Sequence, residues 1–397
     1  MKYLLILFLS IIIFSCSNNN KEQNNNTDNN INQAEQSKTD NINNEANKTK
    51  ESAYYSYTDK EIISFIESGD FQTIKKLIES KSLDVNYNLG DEYSKSTPLI
   101  QAIKYKQTDI INYLLENNAD INLKEELTGF TPLMASFHDI NITELLIEKG
   151  ADIEARNVDG INALVYAVSL NDEEMVKFLL EKGADANTVC EIENEHIYMP
   201  PTPLMNAVYN GNTNIINMLL ENGADINYTT DEMTPLIYAA YKGNTNIINV
   251  LLENGVDINY TNDYGMTALM YAARFNQFEA AKILLENNAD ISITDEDGDT
   301  ALMHAANNGN TNIINVLLEN GADINYTNDY GMTALMYAAN SMYAASYNQF
   351  EAVKILLENN ADTSITDEDG RTALDMAKSK DNKKYNKDIV KLLEKYN

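Results

Sequence analysis

Apolar residues return along most of this chain in one short pattern. In the stretch 244–255, Ile247, Ile248, Leu251 and Leu252 fall at i, i+1, i+4 and i+5, a single stripe on a helix. Gly255 follows, suited to the left-handed turn that closes a helix. Where that Gly is missing, Asn118, Asn288 or Asn360 stands in its place, and Asn is the other residue that tolerates this conformation. Upstream of each stripe lies a second landmark, such as Thr97-Pro98-Leu99, Thr234-Pro235-Leu236 or Thr300-Ala301-Leu302. Thr accepts from the free amides of a first helical turn, and Pro suits the position just inside. Ala, which replaces Pro in five units, is the strongest helix former. Each period thus predicts two short helices, one opened by Thr and the next closed by Gly or Asn.

Nine landmarks run from Thr97 to Thr372 at spacings of 34, 31, 40, 32, 33, 33, 33 and 39 residues. A period of 33 carrying Thr-Pro-Leu and Leu-Leu-Glu-x-Gly-Ala-Asp resembles the ankyrin repeat over residues 58–397. The resemblance implies an all-α solenoid of about ten helix–turn–helix units with β-hairpin loops, occupying 51–397. One departure stands out. The His that usually follows Thr-Pro-Leu is replaced by Ile100, Met134, Val165, Met205, Ile237, Met270, Met303, Met336 and, in the last unit, Asp375. Apolar packing is therefore expected where the family makes a polar bond.

Residues 234–298 and 300–370 are nearly the same text, which reads as duplication of a two-unit cassette. Arrays tolerate such growth because each unit contacts mainly its neighbours. Atypical ends at about 58–90 and 371–397 read as caps; seven Lys between Lys378 and Lys395 suit the final helix's C-terminal dipole. An insertion at about 188–201 holds Cys190, Glu191, Glu193, Glu195, His196 and Pro200-Pro201. It reads as a long hairpin leaving the scaffold, with two-ligand zinc binding as the alternative.

The first fifty residues have a different grammar. After Lys2, the run from Tyr3 to Phe14 is apolar except for Ser10. Twelve residues give a helix of roughly 18 Å, short of the ~30 Å hydrocarbon core, so 1–15 read as a signal peptide. Ile13-Phe14-Ser15-Cys16 resembles a bacterial lipobox, which implies lipidation of Cys16. Ordinary cleavage nearby, with Cys16 incidental, is the alternative. Residues 17–50 hold thirteen Asn and four apolar side chains, too few to offset ordering entropy, so 16–50 are expected to be a disordered tether.

Charge narrows the partners. The tether carries four Lys and five acids, so the net charge of −31 belongs to the repeat region. Nucleic acid needs a basic footprint and is excluded as a partner; a polybasic bilayer patch is excluded likewise, leaving the lipid as the membrane contact. His138, His196 and His304 lie in different units, with no phosphate-cradling loop or His-Glu-x-x-His beside them. No enzyme, cofactor or metal is expected. Asp295-Glu296-Asp297-Gly298-Asp299 suggests a calcium loop, but Ile293 breaks the alternation, and a hairpin tip takes Asp and Gly for turn geometry.

By register, the resemblance places two surfaces on the concave, partner-binding face. The hairpin tips offer Asp263, Tyr264, Met266, Glu296, Asp297, Asp299, Asp329, Tyr330, Met332, Glu368 and Asp369. The first-helix ends offer Tyr209, Asn210, Tyr241, Lys242, Arg274 and Phe275. Aromatic and Met anchors in an acidic field suit a basic or amphipathic segment of another protein. The competing reading is a duplicated cassette repeating Tyr and Asp without selection for binding. A deeper stripe, Tyr166, Tyr238, Tyr271, His304 and Tyr337, is assigned to packing. The expectation is a monomeric, exported, lipid-anchored scaffold in the periplasm or on the cell surface. A dedicated periplasmic protector or inhibitor of one enzyme or toxin, or a passive surface-display lipoprotein, are the alternatives.

Overall fold

The structure, a computed structural model, describes residues 57–90, 95–137, 139–190, 201–229, 233–340, 347–378 and 386–396. The signal peptide and tether read from 1–50, residues 191–200 of the insertion, and His138 and His196 lie outside the described residues. Ten helix pairs follow one another, here numbered as units 1 to 10. They are Asp59–Glu67 with Phe71–Glu79, Pro98–Lys104 with Thr108–Glu116, Pro132–Ala135 with Ile140–Glu148, Ala163–Ser169 with Glu173–Glu181, and Pro203–Asn210 with Thr213–Glu221. Units 6 to 10 are Pro235–Lys242 with Thr245–Glu253, Ala268–Arg274 with Phe278–Glu286, Ala301–Asn307 with Thr311–Glu319, Ala334–Asn340 with Tyr347–Glu358, and Ala373–Lys378 with Asn386–Tyr396. First helices pack on first helices of adjacent units and second on second, giving the solenoid. No described helix is long and apolar enough to cross a membrane.

The landmark residues act at the helix ends. Thr97, Thr131, Thr234 and Thr267 accept at Oγ1 from the amide three residues on, at 3.1–3.3 Å. Asn162 does the same for Val165 at 3.0 Å. At the other end Gly255 takes φ 80°, and Asn118, Asn288 and Asn360 take 64–65°. The stripe is inward: Ile247, Ile248 and Leu251 are fully buried. Met in the former His position is buried too, yet it is more than filler. The sulfur of Met270, Met303 and Met336 lies 3.4 Å from the N-cap amide of Thr267, Thr300 and Thr333, completing a reciprocal cap with a weak acceptor. Asp375 does this with a carboxylate, at 3.0 Å from the Thr372 amide.

Polar ties then join each unit to the next. An Asp after each second helix accepts from the amide two residues on, as Asp225 does from Asn227 and Asp257 from Asn259, at 2.9 and 3.0 Å. That second residue reaches forward: Asn227 Oδ1 accepts from the Asp257 amide at 3.2 Å and Asn259 Oδ1 from the Asp290 amide at 2.8 Å. The chain of contacts is interrupted at unit 7, where Ser292 instead turns its hydroxyl back to Asp290 at 2.6 Å. A second tie caps first helices: Gln277 Nε2 donates to Tyr241 O at 2.9 Å, and Asn310 Nδ2 to Ala273 O at 2.7 Å. Carbonyls that a helix end leaves open are thus closed by the following unit.

The loops are tighter than β-hairpins. Among the described residues no strand forms, and Leu89 with Ser96 makes an isolated antiparallel bridge. Each tip closes on itself, as Asn262 N donates to Met266 O at 3.1 Å, and abuts its neighbour, as Glu296 N donates to Tyr264 O at 3.0 Å. Gly298 sits at such an abutment with φ 77°, and a Cβ there would lie 2.9 Å from the Asp329 amide nitrogen. Gly321, at a helix end with φ 89°, would meet nothing within 4 Å.

Two outcomes follow from this geometry. Gly298→Ala and Gly321→Ala both bear left-handed strain of about 1–2 kcal/mol, but Gly298→Ala also forces two tips apart. The Gly298 variant is expected to shift the urea midpoint further; equal shifts would mean that tip contact does not hold units together. Ser292→Asn restores a missing forward tie to the Asp323 amide and should raise stability by about 0.5–1.5 kcal/mol. An unchanged or lower midpoint would show that these ties are incidental.

Candidate functional site

Units 5 to 9 enclose a groove of about 880 Å³ between the hairpin tips and the ends of the first helices. One wall is aromatic because the first helices of units 5, 6 and 7 carry Tyr209, Tyr241 and Phe275 at their ends, where those of units 8 and 9 end in Asn307 and Asn340. Tyr241 meets Phe275 edge to face at 4.6 Å between ring centroids, and Tyr271 stacks on Phe275 at 6.0 Å. Tyr209 continues the row at 5.7 Å from Tyr238. Tyr209 and Phe275 remain 44% and 42% exposed, far more than buried aromatic residues elsewhere in the array. Such rings bring large contact area with little rotamer entropy to lose. Lys242 lies 4.8 Å above the Tyr241 ring and Arg274 lies 5.7 Å from the Phe275 ring. Cation–π attraction holds both cations against the aromatic wall.

The opposite wall is acidic. Glu296 and Asp297 are exposed at the tip of unit 8, and Tyr264 is exposed at the tip of unit 7. Tyr330 reaches back from the next tip to donate to Asp297 Oδ1 at 3.0 Å. This bond and the Asp297 charge raise the Tyr330 phenol above its ordinary pKa. Tyr209, Tyr241, Lys242, Tyr264, Arg274, Phe275, Glu296 and Asp297 are therefore brought together, as their register predicts. Asp263, Asp329 and Tyr330 are exposed beside the groove rather than in its lining, and Met332 is half-buried. Glu368 and Asp369 are exposed at the last tip, beyond the groove.

Three expectations need correction. Met266 is 5% exposed, a core residue that lines the groove from below and no exposed anchor on the tip. Asp299 is 8% exposed and bonded by Tyr337 Oη at 2.8 Å and by Asn328 Nδ2 at 2.6 Å, so it belongs to the floor. Asn210 is half-buried, its amide donating to Val168 O at 3.1 Å and to Asn206. All three residues follow the tip or helix-end register, but register gives a position in the loop and leaves the side chain's direction to the fold.

The deeper stripe forms the floor. Tyr238 and Tyr271 are buried, and Tyr166 packs between Phe130 and Phe137 at 5.1 and 4.8 Å. His304 breaks the series: its Nε2 meets Asp295 Oδ2 at 2.8 Å, with both side chains about 10% exposed. Burial pulls the Asp295 pKa up, but the His304 hydrogen bond and the Asp299 and Asp297 amides outweigh it and leave the carboxyl below its ordinary value. Asp299 goes the other way, raised chiefly by desolvation. Burial, followed by the Asp299 charge and hydrogen bond, pushes the Tyr337 phenol strongly upward. Tyr337 therefore stays protonated, a donor and no nucleophile. Sequence reading placed His304 in the stripe but missed its pairing, which joins a tip to a helix nine residues on. The signal was there: His occupies a register that holds Tyr in both flanking units.

At the two ends of the insertion, Cys190 N donates to Pro201 O at 2.7 Å. Cys190 is 4% exposed, and burial pushes its thiol up to about 11, with Arg156 a smaller opposing influence. A thiol so held is a packing group at neutral pH.

Comparison with known proteins adds the family. A model described as ankyrin repeats (3 copies) matches residues 43–125, 123–190, 204–295 and 289–342. Two models described as ankyrin repeats (many copies) match 164–220 and 341–377. The chain is 34% identical to ankyrin repeat protein FPV014 of fowlpox virus (strain NVSL) over 169 residues, 42% of this chain and 36% of the relative. It is 32% identical over 123 residues to ankyrin repeat and SAM domain-containing protein 6 of Rattus norvegicus, 30% of this chain and 14% of that one. With B-cell lymphoma 3 protein homolog of Mus musculus the identity is 29% over 153 residues, 37% of this chain and 32% of the relative. The chain thus spans well under half the length of these relatives, and what it shares with them is the repeat. With matched segments covering most of its length and ten stacked helix pairs, the chain belongs to the ankyrin repeat family.

Proposed function

We propose that the array is a non-catalytic protein-binding scaffold whose groove takes a basic or amphipathic segment of another protein. The observation that supports this most directly is the meeting of an exposed aromatic row with an acidic wall across units 5 to 9. The rings anchor an apolar side of the segment, and Glu296 and Asp297 attract its cations. Lys242 and Arg274 set polarity along the groove, favouring a carbonyl or carboxylate at the helix-end side. Ankyrin repeats generally serve protein–protein interaction, and no enzyme family is among the matches. Export and membrane attachment rest on residues 1–50 alone: the short apolar run, the lipobox-like Ile13-Phe14-Ser15-Cys16 and the polar stretch after it. On this reading the scaffold is held to a bacterial membrane from the periplasm or the cell surface by a lipid on Cys16.

A photo-crosslinker placed at Tyr241 or Phe275 in source cells should join the segment, whereas one at Lys282 on the second helix should not. With that segment in hand as a peptide, Tyr241→Ala with Phe275→Ala should weaken binding at least tenfold, about 1.4 kcal/mol, without loss of helical content. Binding should also fade with salt, since exposed charges are screened beyond about 8 Å at physiological strength. Undiminished binding by the double variant would place the partner on another surface. For the tether, Cys16→Ala should abolish incorporation of labelled fatty acid and release the protein from membranes; continued membrane retention would remove the lipid anchor from the account.

A further inference from the structure

Units 7 and 9 are near copies in their tips and first helices, and unit 8 between them differs, among other substitutions, at three places that meet in space. Unit 7 carries Asn262, Met266 and Tyr271, and unit 9 carries Asn328, Met332 and Tyr337. In both, the Asn amide donates to the Tyr hydroxyl, at 3.3 and 3.2 Å. Unit 8 holds Asp295, Asp299 and His304 at those three places. The neutral pair has become a carboxylate against an imidazole at 2.8 Å, and the buried thioether has become a second carboxylate. Flanking units show that the fold does not require any of the three changes.

The geometry points to a site for a divalent transition metal of the zinc class, held by Asp295, Asp299 and His304 in the floor of the groove. One donor atom from each residue lies within 4.8 Å of the others. Zinc bonds to imidazole nitrogen and carboxylate oxygen at about 2.0–2.2 Å, so tetrahedral donors stand roughly 3.3–3.5 Å apart. Placing the ion means widening the 2.8 Å contact slightly and drawing the third donor in, side-chain movements of an ångström or so. Charge fits as well. A neutral imidazole and two carboxylates balance a divalent cation, whereas one imidazolium balances a single carboxylate and leaves the other buried.

Both carboxylates are already oriented, Asp295 by the turn that every such tip makes. The Asp297 and Asp299 amides occupy Asp295 Oδ1 at 3.1 and 2.8 Å, leaving Oδ2 for the ion. Tyr337 Oη and Asn328 Nδ2, both from unit 9, orient Asp299 at 2.8 and 2.6 Å. Donors of this kind around the ligands fix their geometry and raise affinity. The set of one nitrogen and two oxygens suits zinc and its neighbours, whereas calcium and magnesium prefer six or more oxygens. The acids at this tip thus read as a metal site through His304, where the linear run suggested only a calcium loop. All three residues line the groove, which leaves a fourth position open toward it.

The test uses the full chain, stripped with chelator and titrated with Zn²⁺ alone by calorimetry, with Co²⁺ absorption reporting geometry. One saturable equivalent and a tetrahedral visible band are expected. Asp295→Asn, Asp299→Met and His304→Tyr together rebuild the residue set of units 7 and 9, so this variant should fold and lose the equivalent. Tyr337→Phe, which keeps every ligand, should weaken Zn²⁺ binding about 10-fold or more. If the triple variant does not fold, His304→Tyr alone gives the same comparison. No saturable equivalent in the native chain, or undiminished Zn²⁺ uptake by a folded variant lacking His304, would overturn the site. Loss of peptide binding is no part of this readout, so the site and the groove's partner stand or fall separately.

Discussion

Everything in this molecule depends on one unit being covered by the next. A pair of helices, mostly of seven to nine residues each, has one apolar stripe and no interior, and helices this short are marginal in isolation. Stacking turns the stripes into a continuous core, with Ile215, Ile248, Leu284 and Ile314 fully buried in successive units. The same contact closes polar groups that each unit leaves open. Gln277 and Asn310 cap carbonyls of the preceding first helix, and the forward ties from Asn227 and Asn259 bind the loops. Hydrophobic burial supplies most of the free energy, while these directional bonds fix how far one unit is rotated on the last.

That fixed stacking explains the groove. A side chain repeated every 33 residues in the sequence reappears beside its equivalent, so rows form without any residue being placed individually. Tyr209 and Tyr241, joined by Phe275 one place later in its unit, make one row, and the tips carrying Tyr264, Asp297 and Tyr330 make the facing one. Function in such a scaffold lies in departures from the repeat, since the repeated residues mostly hold it up. His304 with Asp295 and Asp299 is one such departure, and it lies in the floor of the groove.

Much of this is legible in the linear chain, for a local reason. Thr97 and Thr234 cap helices, Gly255 and Asn288 end them, and Ile247 faces inward because capping and the helical period act over a few residues. The aromatic row is legible as well, since register carries across identical units. The thioether bonds of Met270, Met303 and Met336 are not, because Met gives no polar signal in a sequence. Nor are the forward Asn ties: an abundance of Asn reads as composition until each side chain is seen meeting an amide of the next unit.

The unit, the ends of its helices, the count of units and the acidity of the array can all be read along the linear chain. Each of these follows from interactions between residues near one another or from simple repetition. Which tip residues turn inward follows from the stacked fold. Met266 and Asp299 share the loop position of exposed tips, but stacking closes over them, so one becomes core and the other becomes floor. The stacked fold also decides that His304 meets Asp295 and that residues of unit 9 hold Asp299. The first contact closes a tip onto the helix of its own unit, and the second depends on the rotation between units, which is set by packing over the whole interface and is written in no single repeat.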